Sequence, residues 1–522
     1  MTDAPALFAA REPIFPRRVA GRFRTLKWAI LWVTLGIYYV TPWLRWDRGP
    51  NLPDQAVLVD LARRRFYFFW IEIWPHEFWL VAGLLIMAGL GLFLFTSALG
   101  RVWCGYACPQ TVWTDLFLWV ERRVEGDRNA QIRLHHAPWN ARKARLRATK
   151  WTLWLLISAA TGGAWVFYFA DAPTLLRDLA TGRAAPVAYA TIALLTATTF
   201  VLGGFMREQV CIYMCPWPRI QGAMMDPGTL TVGYRDWRGE PRGRGGVRRQ
   251  AVAEDVGSAA TARYGAAASK EVAAPRTARD GAVLGDCVDC NACVAVCPMG
   301  IDIREGQQME CITCALCIDA CDDVMAKLDR PRGLIDYLAL DDRPPVEPGE
   351  TADVRPYAGG WSPAPAWRHV LRPRTLIYTA AWAAIGVALL VALFVRPEIA
   401  MTVSPVRNPT FVTLSDGSVR NAYDIRLRNK HGEARTFHLA LTAPDTLRIA
   451  LEGTDALTVE VPPTATHLQR VYVTARPQDP AAGRERTGFR FWVEDLADGE
   501  RAHRDTIFNG RESFDERTGN AG

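Results

Sequence analysis

Cys287-Val288-Asp289-Cys290-Asn291-Ala292-Cys293-Val294-Ala295-Val296-Cys297-Pro298 and Cys311-Ile312-Thr313-Cys314-Ala315-Leu316-Cys317-Ile318-Asp319-Ala320-Cys321 carry one spacing twice. Each is Cys-x-x-Cys-x-x-Cys-x-x-x-Cys. Three closely spaced thiolates can wrap three corners of an iron–sulfur cubane, and the fourth then reaches a neighbouring cube. The spacing therefore assigns Cys287, Cys290, Cys293 and Cys321 to one [4Fe–4S] cluster, and Cys311, Cys314, Cys317 and Cys297 to another. Crossed ligation of this kind keeps the two clusters close enough for rapid electron exchange. Pro298 and Gly300 mark the turn that leaves the first run, and Asp322 follows the second where a proline would be its counterpart. Zinc also binds Cys-x-x-Cys pairs, but four thiols per ion give no reason for a third Cys-x-x repeat. Disulfides are disfavoured by the reducing compartment that the topology below implies.

The run is that of two-cluster bacterial ferredoxins, and residues 284–340 read as a small α+β ferredoxin-like module. Around it lies membrane-protein composition: half of the 522 residues are hydrophobic and 20 are Trp. A bilayer span needs about 20 apolar residues, and five stretches qualify, at 26–43, 78–98, 151–170, 187–206 and 376–395. Trp28, Tyr38, Tyr39, Trp43, Trp79, Trp151 and Tyr378 crowd their ends, as an interfacial belt would. An arm over 1–25 carries Arg11, Arg17, Arg18, Arg22 and Arg24 without a small-residue cleavage site after the first span, so that span reads as retained. The 99–150 loop holds ten Lys or Arg residues, against five in 44–77 and two in 171–186. The positive-inside rule then puts the N-terminus and the cysteine runs in the bacterial cytoplasm and the residues after the fifth span in the periplasm. The net charge of +7 is explained by anionic lipid and orientation and calls for no nucleic-acid partner.

Between the spans, the Arg63–Trp70 run reads as a segment lying in the interface, and 109–147 as helical from Pro109. Residues 233–283, rich in Gly, Ala and Arg and without apolar periodicity, read as a flexible linker, and 341–375 as a Pro-rich return to the membrane. Beyond the last span, apolar alternation recurs in Tyr423-x-Ile425-x-Leu427, Phe437-x-Leu439-x-Leu441, Leu447-x-Ile449-x-Leu451, Leu457-x-Val459-x-Val461, Val471-x-Val473 and Phe489-x-Phe491-x-Val493. Short alternating strands over 398–516 predict an all-β, immunoglobulin-like sandwich.

The remaining four of the twelve cysteines form a second constellation, Cys104-Gly105-Tyr106-Ala107-Cys108-Pro109 and Cys211-Ile212-Tyr213-Met214-Cys215-Pro216, each preceded by an arginine, Arg101 or Arg207. Each closes an even-numbered span of the four in 26–232, as an internal repeat of a two-helix hairpin would. Thiols four apart on a helix share a face, although each proline can instead start a new helix. The four could converge on one site or bind soft ions pairwise. Cu(I) suits thiolate; a further iron–sulfur cluster, a redox dithiol and small buried hydrophobes are the other readings. Met206, Met214, Met224 and Met225 lie nearby in sequence and could add thioethers or simply pack. His135-His136 reads as a solvated loop, and no histidine pair suits a membrane haem. Gly239 and Gly243 form no nucleotide fingerprint, so electrons would come from a protein or a quinol.

Two Cys-x-x-x-Cys-Pro motifs at span ends, a two-cluster ferredoxin module, one further span and a β-sandwich together resemble the cytochrome c oxidase accessory protein family (CcoG, also called FixG or RdxA). Local stretches resemble it as well: Gln55-Ala-Val-Leu-Val-Asp60, Trp74-Pro-His-Glu-Phe78, Cys297-Pro-Met-Gly-Ile-Asp-Ile303, Pro331-Arg-Gly-Leu-Ile335 and Ser415-Asp-Gly-Ser-Val-Arg-Asn421. The resemblance runs from about residue 20 to 516, with 246–282 as an apparent insertion. It implies reduction of Cu(II) to Cu(I) for assembly of a cbb-type oxidase, and the soft ligands Cys104, Cys108, Cys211 and Cys215 are then the expected place at or near which copper is held and reduced. It also implies a copper-exporting P-type ATPase and other assembly factors as partners. Two rival readings stand beside it. One is a quinol-oxidising electron-transfer subunit, since the paired motifs also resemble the membrane ferredoxins of periplasmic nitrate reduction. The other is a non-catalytic assembly scaffold with redox-sensing clusters.

Overall fold

The computed structural model describes residues 13–243, 276–277, 283–342, 366–395, 399–443 and 446–511. The chain divides into two compact units, one of residues 1–44 and 57–387 and one of residues 45–56 and 388–522.

Among the described residues three helices are long and apolar enough to cross a membrane: Pro75–Leu99 and Pro186–Met206 in the first unit, and Pro373–Val395, which begins there and whose last residues are assigned to the second. They are apolar all round and leave Leu84, Leu85, Ile86, Leu194, Val387 and Phe394 uncovered, as a lipid-facing helix does. The other two expected spans also form helices, Arg22–Val40 and Ala141–Val166. Neither reaches the same length of apolar sequence, because Arg22, Arg24 and Lys27 open the first and a basic stretch ending at Lys150 opens the second. Their charges are paired within the unit. Arg24 donates to both oxygens of Asp115 at 2.9 Å. Lys150 lies 3.1 Å from Glu121 and 3.0 Å from Glu125, and Arg207 lies 2.6 Å from Glu121. Arg63–Trp70 lies within a three-stranded antiparallel sheet of Val57–Asp60, Arg65–Phe68 and Ile71–Ile73. Burial alternates along Arg65–Phe68 with a strand's period.

The cysteine module is anchored on the first helix. The carboxylate of Asp319, in the helix Leu316–Lys327, accepts the backbone N–H of Phe23 at 3.2 Å and of Arg24 at 2.7 Å, so it caps a helix 295 residues away in the chain. A Cβ on Gly21 would sit 2.3 Å from Asp319 Cγ; only glycine permits the approach. The expected linker starts too early. Thr231–Tyr234 pairs antiparallel with Ile335–Leu338, Val232 and Tyr234 are buried in the module, and Arg238 donates to Asp286 at 2.6 Å. A four-residue strand whose partner lies a hundred residues on carries too little local pattern to be seen. Residues 244–275 and 278–282 of that linker, and 343–365 of the return segment, lie outside the described residues. The last helix of this unit begins at Pro373 rather than 376.

The second unit is two antiparallel sheets. One has the order Arg448–Leu451, Thr466–Ala475, Val419–Arg428, Ala400–Pro405, with Val412–Thr413 also on Val419–Arg428; the other has Thr458–Val461, Arg435–Thr442, Arg486–Asp495, Arg501–Asn509. Every alternating run named above lies in or beside a strand, and the inward residues Tyr423, Ile425, Phe437, Leu439, Val471, Phe491 and Val493 form one core. Tyr423 keeps its buried hydroxyl satisfied by donating to the Ile507 carbonyl at 2.8 Å. The strand Arg501–Asn509 had no alternation to reveal it, since Phe508 is its one fully buried residue.

Phe491→Ala should destabilise the sandwich by about 3–5 kcal/mol, read from thermal unfolding of the full chain in detergent. Asp319→Ala should cost about 1–2 kcal/mol and raise amide exchange at Phe23 and Arg24; unchanged exchange there would contradict the capping contact.

Candidate iron–sulfur and thiol centre

The two cysteine runs fold alike. Asp289 and Asn291 in the first, and Thr313 and Ala315 in the second, all take left-handed backbone, with φ of 51°, 56°, 56° and 60°. These positions correspond, two and four residues after the leading cysteine. Asp and Asn adopt this conformation readily, but Thr and Ala do so at a cost of roughly 1 kcal/mol or more. The loop is therefore held by what it surrounds. Short helices follow, Ala292–Val296 and Leu316–Lys327.

Between them lie two apolar cavities. One, of about 380 Å³, is lined by Cys297, Cys311, Cys314 and Cys317, with Cys293 on the shared wall. The other, of about 330 Å³, is lined by Cys287, Cys290, Cys293 and Cys321. The fourth cysteine of each run thus faces the cavity of the other run. Backbone N–H groups of Met299 and Ile301 point at Cys297, and that of Thr313 points at Cys311, which is how a protein steadies cluster thiolates and sets their potential. Arg304 stands over the second cavity. Its guanidinium bonds Asp289 at 2.7 Å, Asn291 at 2.6 Å and Asp302 at 2.6 Å. No pattern in the sequence singled it out.

The donor set fits cubane clusters better than single ions. Among the described residues, the one trio of histidine, cysteine or carboxylate groups with ligand atoms within 4.8 Å of one another is His431, Asp495 and Asp498 in the β-rich unit. There Arg435 already supplies positive charge, 3.6 Å from Asp495 and 3.4 Å from Asp498. No three cysteine sulfurs come that close. One tetrahedral ion with sulfur at about 2.3 Å would need sulfurs roughly 3.8 Å apart.

The span-end cysteines adjoin this module. Cys104 sits in the helix Val102–Tyr106, and Cys108 precedes Pro109–Val124. Cys211 lies in a π-helical turn, Val210–Met214, with Cys215 just beyond. Each proline does end one turn and begin the next. The two motifs are laced together: Gln110 donates to the carbonyls of Leu202 at 2.8 Å and Arg207 at 3.2 Å, and the Cys104 thiol donates to Gln221 at 3.1 Å. Cys104 and Cys211 both pack against Ile312 and Cys314 of the second run. A Cβ on Gly105 would already meet the Ile312 carbonyl at 2.6 Å and Cys314 Cα at 2.9 Å. Burial pushes the Cys104 thiol up to about 12, with Cys108, Cys211 and Cys215 adding to the shift, so the four do converge. The repeat is unequal. Tyr106 is buried while Tyr213 is exposed. Arg207 pairs with Glu121, whereas Arg101 donates to the carbonyls of Pro218 at 2.6 Å and of Met309. Met309, not one of the four methionines near the second pair in sequence, is the thioether beside Arg101. His135 and His136 are exposed at the end of the helix Arg128–His136.

Burial also pushes Cys293 and Cys311 up to about 11, and Cys297 and Cys321 up to about 12. The folded thiols thus hold protons that unfolded ones release near about pH 8.5. The corresponding stability is complete below that pH and is lost as pH rises through the folded values. Loaded ligands have already given up their protons. The thermal midpoint of iron-free protein should therefore fall as pH rises from about 8.5 to 11, much more steeply than that of the loaded protein; equal slopes would refute the burial of neutral thiols.

Residues 206–339 match the family model described as a 4Fe-4S dicluster domain, 79–125 a 4Fe-4S binding domain, and 389–511 the IG-like fold at the C-terminal of FixG. Protein RdxB from Cereibacter sphaeroides is 63% identical over 510 residues, covering 98% of this chain and 98% of that one. Protein RdxA from the same organism is 61% identical, covering 91% and 92%. Nitrogen fixation protein FixG from Rhizobium meliloti is 52% identical, covering 96% and 94%. Identity at this level along nearly the whole of each chain makes this protein a member of the FixG/RdxA family of iron–sulfur membrane proteins.

Proposed function

We propose that this protein is a membrane-bound electron-transfer protein that reduces Cu(II) to Cu(I) for assembly of a cbb-type cytochrome c oxidase. The observation that carries the reading is the close approach of the span-end motifs to the second cysteine run, with Gly105 flush against Ile312 and Cys314 and Cys104 and Cys211 packed on the same apolar cluster. When bound, [4Fe–4S] clusters supply one-electron reduction, at potentials that can lie far below the Cu(II)/Cu(I) couple. Cys287, Cys290, Cys293 and Cys321 would hold one, and Cys311, Cys314, Cys317 and Cys297 the other. Each Cu(II) takes one electron at or near Cys104, Cys108, Cys211 and Cys215, and soft sulfur favours the Cu(I) product. A cytoplasmic low-potential protein donor restores the electron.

In this reading five helices cross the bacterial inner membrane. The cysteine module faces the cytoplasm beside the basic 99–150 loop, and the sandwich faces the periplasm. Cu(I) passes to a copper-exporting P-type ATPase and other assembly factors; membrane lipid is the remaining contact, and nucleic acid plays no part.

Adding Cu(II) to dithionite-reduced, desalted protein should bleach the iron–sulfur absorbance and yield one Cu(I) per electron. Replacing Cys104, Cys108, Cys211 and Cys215 by Ala should bring the rate to background. An unchanged rate in that variant would remove the proposed site.

A further inference from the structure

The twelve cysteines fall by position into three sets of four. Cys287, Cys290, Cys293 and Cys321 line one cavity, and Cys297, Cys311, Cys314 and Cys317 line the other. The third set is the two span-end pairs: Cys104 and Cys211, one from each, pack on the same apolar cluster, and the Cys104 thiol donates to Gln221, in the helix that follows the second pair. Two of these sets surround cavities suited to a cube. In the third set, as in these two, no three sulfurs fall within 4.8 Å of one another, wider than the grip of a single tetrahedral ion.

Its backbone is that of a ligand turn. Cys297, Cys108 and Cys215 each precede a proline, which drives the residue before it into extended backbone. Their φ/ψ values are −67°/120°, −60°/129° and −82°/122°. Cys293 and Cys211 each occupy the second position of a five-residue helical turn leading to that cysteine. In the ferredoxin-like run Cys297 faces one cavity while Cys293 stands on the wall shared by both. At the span ends Gln110 and Gln221 tie the two pairs to each other.

A second, independent observation concerns charge. Arg101 is 3% exposed. Its hydrogen-bond partners are the carbonyls of Met309, Pro218 and Cys311 and the sulfur of Met309. Its Nε has no partner, and among the described residues no carboxylate pairs with it. The groups whose charge acts on it most are Cys104 and Cys311, then Glu310. A buried guanidinium needs a counter-charge close by, and neutral thiols provide none. Thiolates of clusters held at Cys104 and Cys311 would supply it.

We propose that Cys104, Cys108, Cys211 and Cys215 together hold a third, resident [4Fe–4S] cluster, with Arg101 between it and the neighbouring one. The 79–125 segment alone contributes two thiols, so the site is complete only when both hairpins are present. The inference deepens the preceding reading by making these thiols a relay beside which copper is reduced, rather than the seat of the copper itself.

Iron and labile sulfide should be measured on the full chain, purified and reconstituted anaerobically in detergent without copper. The expected content is about 12 iron atoms per chain, falling to about 8 when Cys104, Cys108, Cys211 and Cys215 are replaced by Ala, with the magnetic resonance signals of the other two clusters retained. Wild-type protein saturating at about 8, or a variant that keeps the extra iron, would overturn the proposal. Should the quadruple variant fail to fold, Cys287, Cys290, Cys293 and Cys321 replaced by Ser in an otherwise intact chain must still leave two clusters, and loss to one would equally overturn it. These readouts contain no copper, so failure of cupric reduction leaves them unchanged and their failure does not test cupric reduction.

Discussion

Eight cysteines gathered around two cavities are the feature on which the first unit is organised. Cys287, Cys293, Cys314 and Cys321 are core residues of the module in the ordinary sense, packed with Ile303, Ile312, Ile318 and Leu334. Yet two of their neighbours in space are cavities rather than side chains. A module of this size has little apolar surface to bury, and small domains commonly need a metal to be stable. The left-handed Thr313 and Ala315 make the same point from the backbone, since nothing in their own preferences favours that conformation. The inorganic group and the fold presuppose each other.

Positive charge is distributed to suit that arrangement. Arg304 binds the first run's loop through Asp289 and Asn291 while lining its cavity. Arg101 has no acidic partner among the described residues, and the second run and the span-end thiols are the groups that act on it most. The bases nearer the helix ends behave differently: Arg24, Lys27, Lys150 and Arg207 are matched by Asp115, Glu121 and Glu125. Buried ion pairs of this kind fix geometry more than they add stability. They hold the helices, and Asp319 holds the module against the first of them.

What was legible in the sequence was local. The cysteine runs declare their geometry within eleven residues, and Tyr423-x-Ile425-x-Leu427 declares a strand within five. What was not legible depended on distant partners. Thr231–Tyr234 is a strand because Ile335–Leu338 lies beside it, and Arg501–Asn509 is one because it closes an edge with a mostly polar sequence. Asp319 caps a helix at the far end of the unit, and no spacing rule connects it with Phe23. Each of the five stretches that hydropathy marked is helical. The structure separates three that are apolar throughout, the Ala- and Thr-rich Pro186–Met206 among them, from two whose N-terminal parts carry paired charge. The convergence of the span-end cysteines was open in the sequence because it turns on Gln110 and Gln221, which no motif contains.

The inequality of the repeat explains why a duplicated hairpin would be kept as one functional unit. Two copies of Cys-x-x-x-Cys-Pro each offer two thiols, too few for a cube, and they become a complete donor set only where they meet. Identical copies would meet the cysteine module alike, and these two do not. In the first copy Gly105 is flush with Ile312 and Cys314, Tyr106 is buried, and Arg101 donates to the second run. The second copy reaches the same apolar cluster through Cys211 and Ile212, but it exposes Tyr213 and binds its arginine to Glu121. One copy is therefore locked against the second run while the other joins it and keeps an exposed side. That is the arrangement an electron exit requires: contact on one side and access on the other.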